Sequence, residues 1–116
     1  FIGPKVQLDD GVELISNIHI EGNTKIGKRT KIYPFASVGT DPQDLKFKGE
    51  LNSLDIGEGN VIREYVTINK GTDSTNQTII GENCFIMTYS HIAHDCVIGD
   101  NCIIAGQVGF AGSMFS

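Results

Sequence analysis

Every sixth residue of this chain falls in one aliphatic register, and that spacing leaves few folds open. The register reads Ile2, Leu8, Leu14, Ile20, Ile26, Ile32 and Val38. It resumes in the same phase at Ile56, Ile62 and Ile68, and again at Ile80, Ile86, Ile92, Ile98, Ile104 and Phe110. Of the nineteen register positions from 2 to 110, fifteen are Ile, Leu or Val, whereas the 28 such residues among 116 would supply four or five by chance. A fixed short period is the mark of a repeat architecture. Four residues after each aliphatic, small or β-branched types recur: Val6, Val12, Ile18, Thr24, Thr30, Ala36, Val66, Cys84, Cys96, Cys102 and Val108. A strand that bends every six residues points both positions into one narrow interior, with Ile or Val in the wide part and small residues at the corners.

The pattern predicts an all-β chain, a parallel β-helix of hexapeptides. Three hexapeptides make one triangular coil, so 116 residues give about six coils, each stacked on the next at about 4.8 Å. Composition agrees. Ile and Val number 23 and Gly 14, against five Leu and four Ala, which favours short strands and tight turns over helices. The period alone does not set the hand, and a left-handed coil would run against the usual right-handed crossover. Two polar segments interrupt the register, residues 40–55 and 71–78, and both read as loops thrust out of a single domain spanning 1–116. Loops on a regular scaffold are where binding residues gather.

Charge narrows the partners. Nine Lys plus Arg face fourteen Asp plus Glu, a net charge of −5, with no basic stripe to neutralise phosphates; nucleic-acid binding is not expected. The apolar runs are only a few residues long, too short for a transmembrane helix. Cys84, Cys96 and Cys102 share one inward repeat position, are odd in number and lack CxxC spacing. They read as reduced, packed thiols, which points to the cytoplasm.

The histidines carry the chemistry. His91 and His94 flank interior Ile92, and His94 takes an outward place beside Asp95, where a carboxylate can orient an imidazole that takes a proton near neutral pH. A solvated turn histidine has the same spacing. A zinc site needs a third ligand, but His19 precedes His91 by 72 residues, at least three coils or about 14 Å, against a Zn–N bond of roughly 2 Å. No metal is expected. In the first loop Asp44 and Lys46 are suited to sugar hydroxyls and to a phosphate or thioester oxygen, and equally to a solvated charged loop.

Four strings occur in order: residues 33–39 (YPFASVG), residues 43–46 (QDLK), residues 62–72 (IREYVTINKGT) and residues 91–96 (HIAHDC). Together they resemble the acyl-carrier-protein:UDP-N-acetylglucosamine O-acyltransferase family, from about Ile2 to Gly112. The resemblance implies a left-handed β-helix and a homotrimer with active sites between adjacent subunits. It also implies the first step of lipid A synthesis, with acyl carrier protein and UDP-N-acetylglucosamine as partners and no cofactor. It assigns His94 as general base with Asp95 beside it, and Gly112 as the backbone donor to the oxyanion. Gln43, Asp44, Lys46 and His91 become substrate contacts, and Met87 a neighbour of the acyl chain. Ser113 stands where the family has histidine, and residues 107–113 (QVGFAGS) are similar to the sister UDP-3-O-acylglucosamine N-acyltransferases, the alternative activity. A non-catalytic β-helix scaffold is a further alternative. The chain opens on Phe1 and ends at Ser116, before the family's C-terminal helical domain, so an incomplete member is expected.

Overall fold

A computed structural model describes residues 1–40, 53–71, 77–93, 96–105, 109–110 and 114–115. Among them the chain forms short parallel strands in three sheets and no helix. The first face stacks Gln7–Leu8, Asn23–Ile26, Ser53–Ile56, Gln77–Ile80, Val97–Ile98 and Met114–Phe115. The second stacks Glu13–Leu14, Lys31–Ile32, Val61–Ile62, Phe85–Ile86 and Ile103–Ile104. The third stacks His19–Ile20, Ser37–Thr40, Thr67–Asn69, His91–Ile92 and Gly109–Phe110. The chain visits the faces in strict rotation, as a triangular coil must.

Alternation along each strand sends one residue in and one out. The inward places are the register residues, and from Ile20 to Ile98 the register isoleucines are at most 1% exposed. They stack directly on one another, for instance Ile32↔Ile62, Ile62↔Ile86 and Ile86↔Ile104. Ile2 and Leu8 hold the same places in the first coil yet are 48% and 39% exposed, because a coil's interior is closed only by coils on both sides.

The second inward position is where polar groups enter the core, and each is bonded. Thr30 donates to Gly57 O at 3.0 Å, and Ser90 to Ala105 O at 2.9 Å. Asn60, fully buried, donates to Gly57 O and Gly81 O at 2.9 and 2.8 Å and accepts from Cys84 N at 2.7 Å. It thus satisfies three backbone groups that the interior would otherwise strand. Cys84 and Cys96 are buried and Cys102 half-buried, all three with free thiols. Burial pushes the Cys84 thiol up, and its Sγ donates to Gly99 O at 3.1 Å. The three do not form one column. The Cys102 carbonyl accepts from Phe85 N, next to Cys84, whereas the Cys96 carbonyl accepts from Ile79 N on the first face.

Glycine serves two different needs. Gly27, Gly57 and Gly81 stack where coils approach closely: a Cβ on Gly27 would lie 2.6 Å from Gly57 C, and one on Gly57 2.7 Å from Gly81 O. Left-handed backbone at the corners falls largely to other residues, among them Asn17, Arg29, Asn83 and Asn101, and to three aromatics, Phe35, Tyr65 and Tyr89, with φ of 66°, 59° and 67°. A side chain in this region costs about 1–2 kcal/mol. The aromatics recover part of this by stacking. Phe35 and Tyr65 lie 5.2 Å apart and Tyr65 and Tyr89 5.1 Å, nearly parallel, and such pairs contribute roughly 0.5–1.5 kcal/mol each.

The interruptions are narrower than the sequence suggests. The third-face strand runs on to Thr40, and the first face resumes at Ser53 and later at Gln77. Ser53, Asp55 and Gln77 look polar because they point outward, while Leu54 and Thr78 turn inward and are buried. Lys25 pairs with Asp55 and Asp55 with Ile79, offsets of 30 and 24 residues in place of 18. The strand leading into the first interruption carries a bulge between Val38 and Thr40, centred on Gly39 at φ 77°. A Cβ there would collide with the Glu21 carbonyl and the Thr24 hydroxyl.

Two substitutions test this packing. Ile98→Asp places an unpaired carboxylate in the core and is expected to abolish cooperative unfolding, while Ile98→Ala should cost about 2–5 kcal/mol. Urea titration followed by far-ultraviolet circular dichroism reads both, and a stably folded Ile98→Asp protein would refute the stacked interior. Gly39→Ala should lose more than about 1 kcal/mol from its φ alone, and an unchanged denaturation midpoint would show that the bulge relaxes.

Candidate functional site

The outward residues of the third face form a polar column: His19, Ser37, Thr67, His91 and Gly109, each paired with the next across the ladder. His91 is half-buried there, and its Nδ1 is hydrogen-bonded to the Thr67 hydroxyl one coil away. His19 lies three strand spacings off in the same column, about 14 Å, and serves a different corner. It stacks on Phe1 at 4.9 Å and its Nε2 bonds Glu21 Oε1 at 2.9 Å. The two described histidines therefore do not converge.

Around the corner from His91, Met87 is 41% exposed on the outer surface next to the second face. With Arg63, Phe85 and Thr88 it lines a shallow hollow of about 320 Å³. Arg63 is fixed on two sides. Its guanidinium carbon lies 4.0 Å over the Tyr33 ring, and its Nε donates to Glu64 Oε1 at 3.0 Å. A hydrogen bond from its own backbone N–H, followed by the one from Arg63, holds the Glu64 carboxyl below the usual carboxylate range. A cation thus borders an apolar hollow.

The remaining candidates, Gln43, Asp44, Lys46, His94, Asp95 and Gly112, lie outside the described residues. The strands that flank them are described, and they show which faces the intervening segments connect. Residues 41–52 join Ser37–Thr40 to Ser53–Ile56, and residues 93–96 join His91–Ile92 to Val97–Ile98. Residues 111–113 join Gly109–Phe110 to Met114–Phe115. Each of these connections, like residues 70–76, leads from the third face to the first.

The described backbone at this edge is tightly fastened. Thr40 donates to Asn69 Oδ1 at 2.9 Å, Lys70 N to Thr40 O at 3.0 Å, and Gly71 N to Ser53 O at 3.1 Å. Asn69 is 4% exposed and ties the two interruptions together at their bases.

The ladder changes step at the last described coil. Ile92 pairs with Phe110, an offset of 18, whereas Ile98 pairs with Phe115, an offset of 17. Thr67 and Arg63 were missed as site residues. Thr67 precedes His91 by 24 residues rather than 18, so only the length of the second interruption, unreadable from periodicity, reveals them as neighbours.

Comparison with known proteins gives one consistent result. Residues 77–112 match the bacterial transferase hexapeptide family (six repeats). The acyl-[acyl-carrier-protein]–UDP-N-acetylglucosamine O-acyltransferase of Helicobacter pylori strain Shi470 is 56% identical over 93 residues, covering 79% of this chain and 34% of the relative. That of Thermodesulfovibrio yellowstonii is 46% identical over 112 residues, covering 96% of this chain and 43% of the relative. A crystal structure of UDP-N-acetylglucosamine acyltransferase superposes with a TM-score of 0.93 at 53% identity, covering 96% of this chain and 43% of that one. The chain therefore spans about two fifths of the length of the relatives it matches. Over that stretch, its coils are those of a left-handed parallel β-helix, and the chain is similar in sequence and fold to the UDP-N-acetylglucosamine O-acyltransferases.

Proposed function

We propose that the protein transfers a 3-hydroxyacyl chain from acyl carrier protein to the 3-hydroxyl of UDP-N-acetylglucosamine, the first step of lipid A synthesis. The observation that carries this reading is the shared edge. Every connection that bears a candidate catalytic or sugar-contacting residue, apart from His91 and Met87, runs between the same two faces. His91 stands on the strand that leads to that edge, and the family's relatives are named for this reaction.

A sugar hydroxyl is a weak nucleophile, so its proton must leave as the oxygen attacks the thioester carbonyl. His94 takes that proton, oriented by Asp95. The carbonyl oxygen gains the negative charge and is held by the Gly112 N–H, a fixed backbone donor. The tetrahedral intermediate then collapses: the ester remains on the sugar, the C–S bond breaks, and the departing thiolate takes the proton back from His94. Gln43, Asp44, Lys46 and His91 hold the nucleotide sugar, and Met87 borders the acyl chain. The working enzyme is a cytoplasmic homotrimer with a site between neighbouring subunits, and its free thiols suit that compartment.

Turnover assays with acyl carrier protein as donor test the reading. UDP-N-acetylglucosamine is expected as acceptor; preference for a 3-O-acylated glucosamine nucleotide would instead indicate the N-acyltransferase activity. His94→Ala should lower kcat by roughly 10²–10⁴, with a smaller effect on acceptor binding. Near-normal turnover would remove His94 as base. Asp95→Asn should cost less than His94→Ala, since packing keeps part of the orientation, and an equal loss would give Asp95 a larger role than orientation.

A further inference from the structure

The hydrogen bond between Thr67 and His91 bears on which nitrogen of His91 carries its proton. A neutral imidazole has one N–H and one lone pair, and the partner of one nitrogen fixes the role of the other. A hydroxyl also has a hydrogen to place. Among the described residues the Thr67 hydroxyl has one hydrogen-bond partner, His91 Nδ1. Its backbone N–H is already committed to Ser90 O at 3.1 Å. The two residues are a register pair in adjacent coils, locked by ladder bonds on both sides, so the contact is built into the scaffold rather than made by a wandering side chain.

The geometry points to Thr67 as a positioning residue: its hydroxyl donates to His91 Nδ1 and holds the neutral ring as the Nε2–H tautomer. His91 then presents a hydrogen-bond donor at Nε2 and no base. A donor suits an acceptor oxygen of a sugar or phosphate, and proton removal falls to a different group. The tautomer is inferred from the Thr67–His91 contact, whereas its kinetic consequence rests on the reading above, in which His91 contacts the nucleotide sugar.

Nitrogen-15 NMR of histidine-labelled full-length protein at about pH 8, above the ordinary imidazole pKa of about 6.5, distinguishes the two nitrogens. The expected spectrum has the His91 proton on Nε2 in the wild type, a mixture of tautomers in Thr67→Val, and the wild-type pattern restored in Thr67→Ser. Valine is close in shape and β-branched, so the strand should tolerate it. The matching kinetic result is an acceptor KM raised about tenfold in Thr67→Val with kcat changed much less, and recovery in Thr67→Ser. A proton on Nδ1 in the wild type would overturn the assignment even if no variant folds. So would an unchanged tautomer in Thr67→Val. A shifted tautomer with unchanged KM would overturn the positioning role in an enzyme still active on UDP-N-acetylglucosamine. Absence of that activity in the wild type would sink the functional reading, and the NMR result would still decide the tautomer.

Discussion

The narrowness of the interior governs this molecule. Three faces enclose a core one isoleucine wide, and each coil lies against the next at strand spacing, about 4.8 Å. A side chain in that space has like residues above and below and two other faces opposite. One register residue per strand fills it, and one small residue closes the corner. This is why Gly27, Gly57 and Gly81 recur in stacked places, and why the polar intruders are short, bonded types such as Thr30, Asn60 and Ser90. Length can be added to such a coil only at its corners, because an extra residue within a strand would turn its inward side chains outward.

The edge between the third and first faces has absorbed nearly all of that freedom. Both long interruptions leave from it, and the ladder shortens by one residue there as well, from an offset of 18 to one of 17. The strands on either side keep their pairing, so variation in the connections leaves the ladders in place. Gly39, Asn69 and the backbone bonds of Thr40, Lys70 and Gly71 clamp the bases from which the connections start. A rigid prism with one variable edge is an economical way to vary the connections between coils, and the segments that carry most of the candidate acid–base and sugar-contacting residues join these two faces.

Periodicity made most of the fold legible. The register named the inward isoleucines one by one, since each occupies a place that tolerates little else. It is less informative where inward places are polar: the value of Asn60 lies in three backbone bonds, invisible in a hydrophobic pattern. The interruptions were drawn too wide for a related reason, as outward Ser53, Asp55 and Gln77 resemble loop residues until their inward neighbours Leu54 and Thr78 are seen. At the site, the resemblance pointed to His91 and Met87 but gave Thr67, inside one of its own strings, no role. Its partnership with His91 depends on how many residues the second interruption consumes, and a repeat of six does not count them.

The column of corner aromatics gives the molecule an optical property. The chain has no tryptophan and three tyrosines. Tyr65 is stacked between Phe35 and Tyr89, and Tyr33 lies under the Arg63 guanidinium from the neighbouring coil. Every tyrosine chromophore therefore reports on the contact between one turn and the next, and none on a flexible surface. Near-ultraviolet absorption and emission of this protein act as a gauge of winding, sensitive to separation of the central coils while the strands themselves persist.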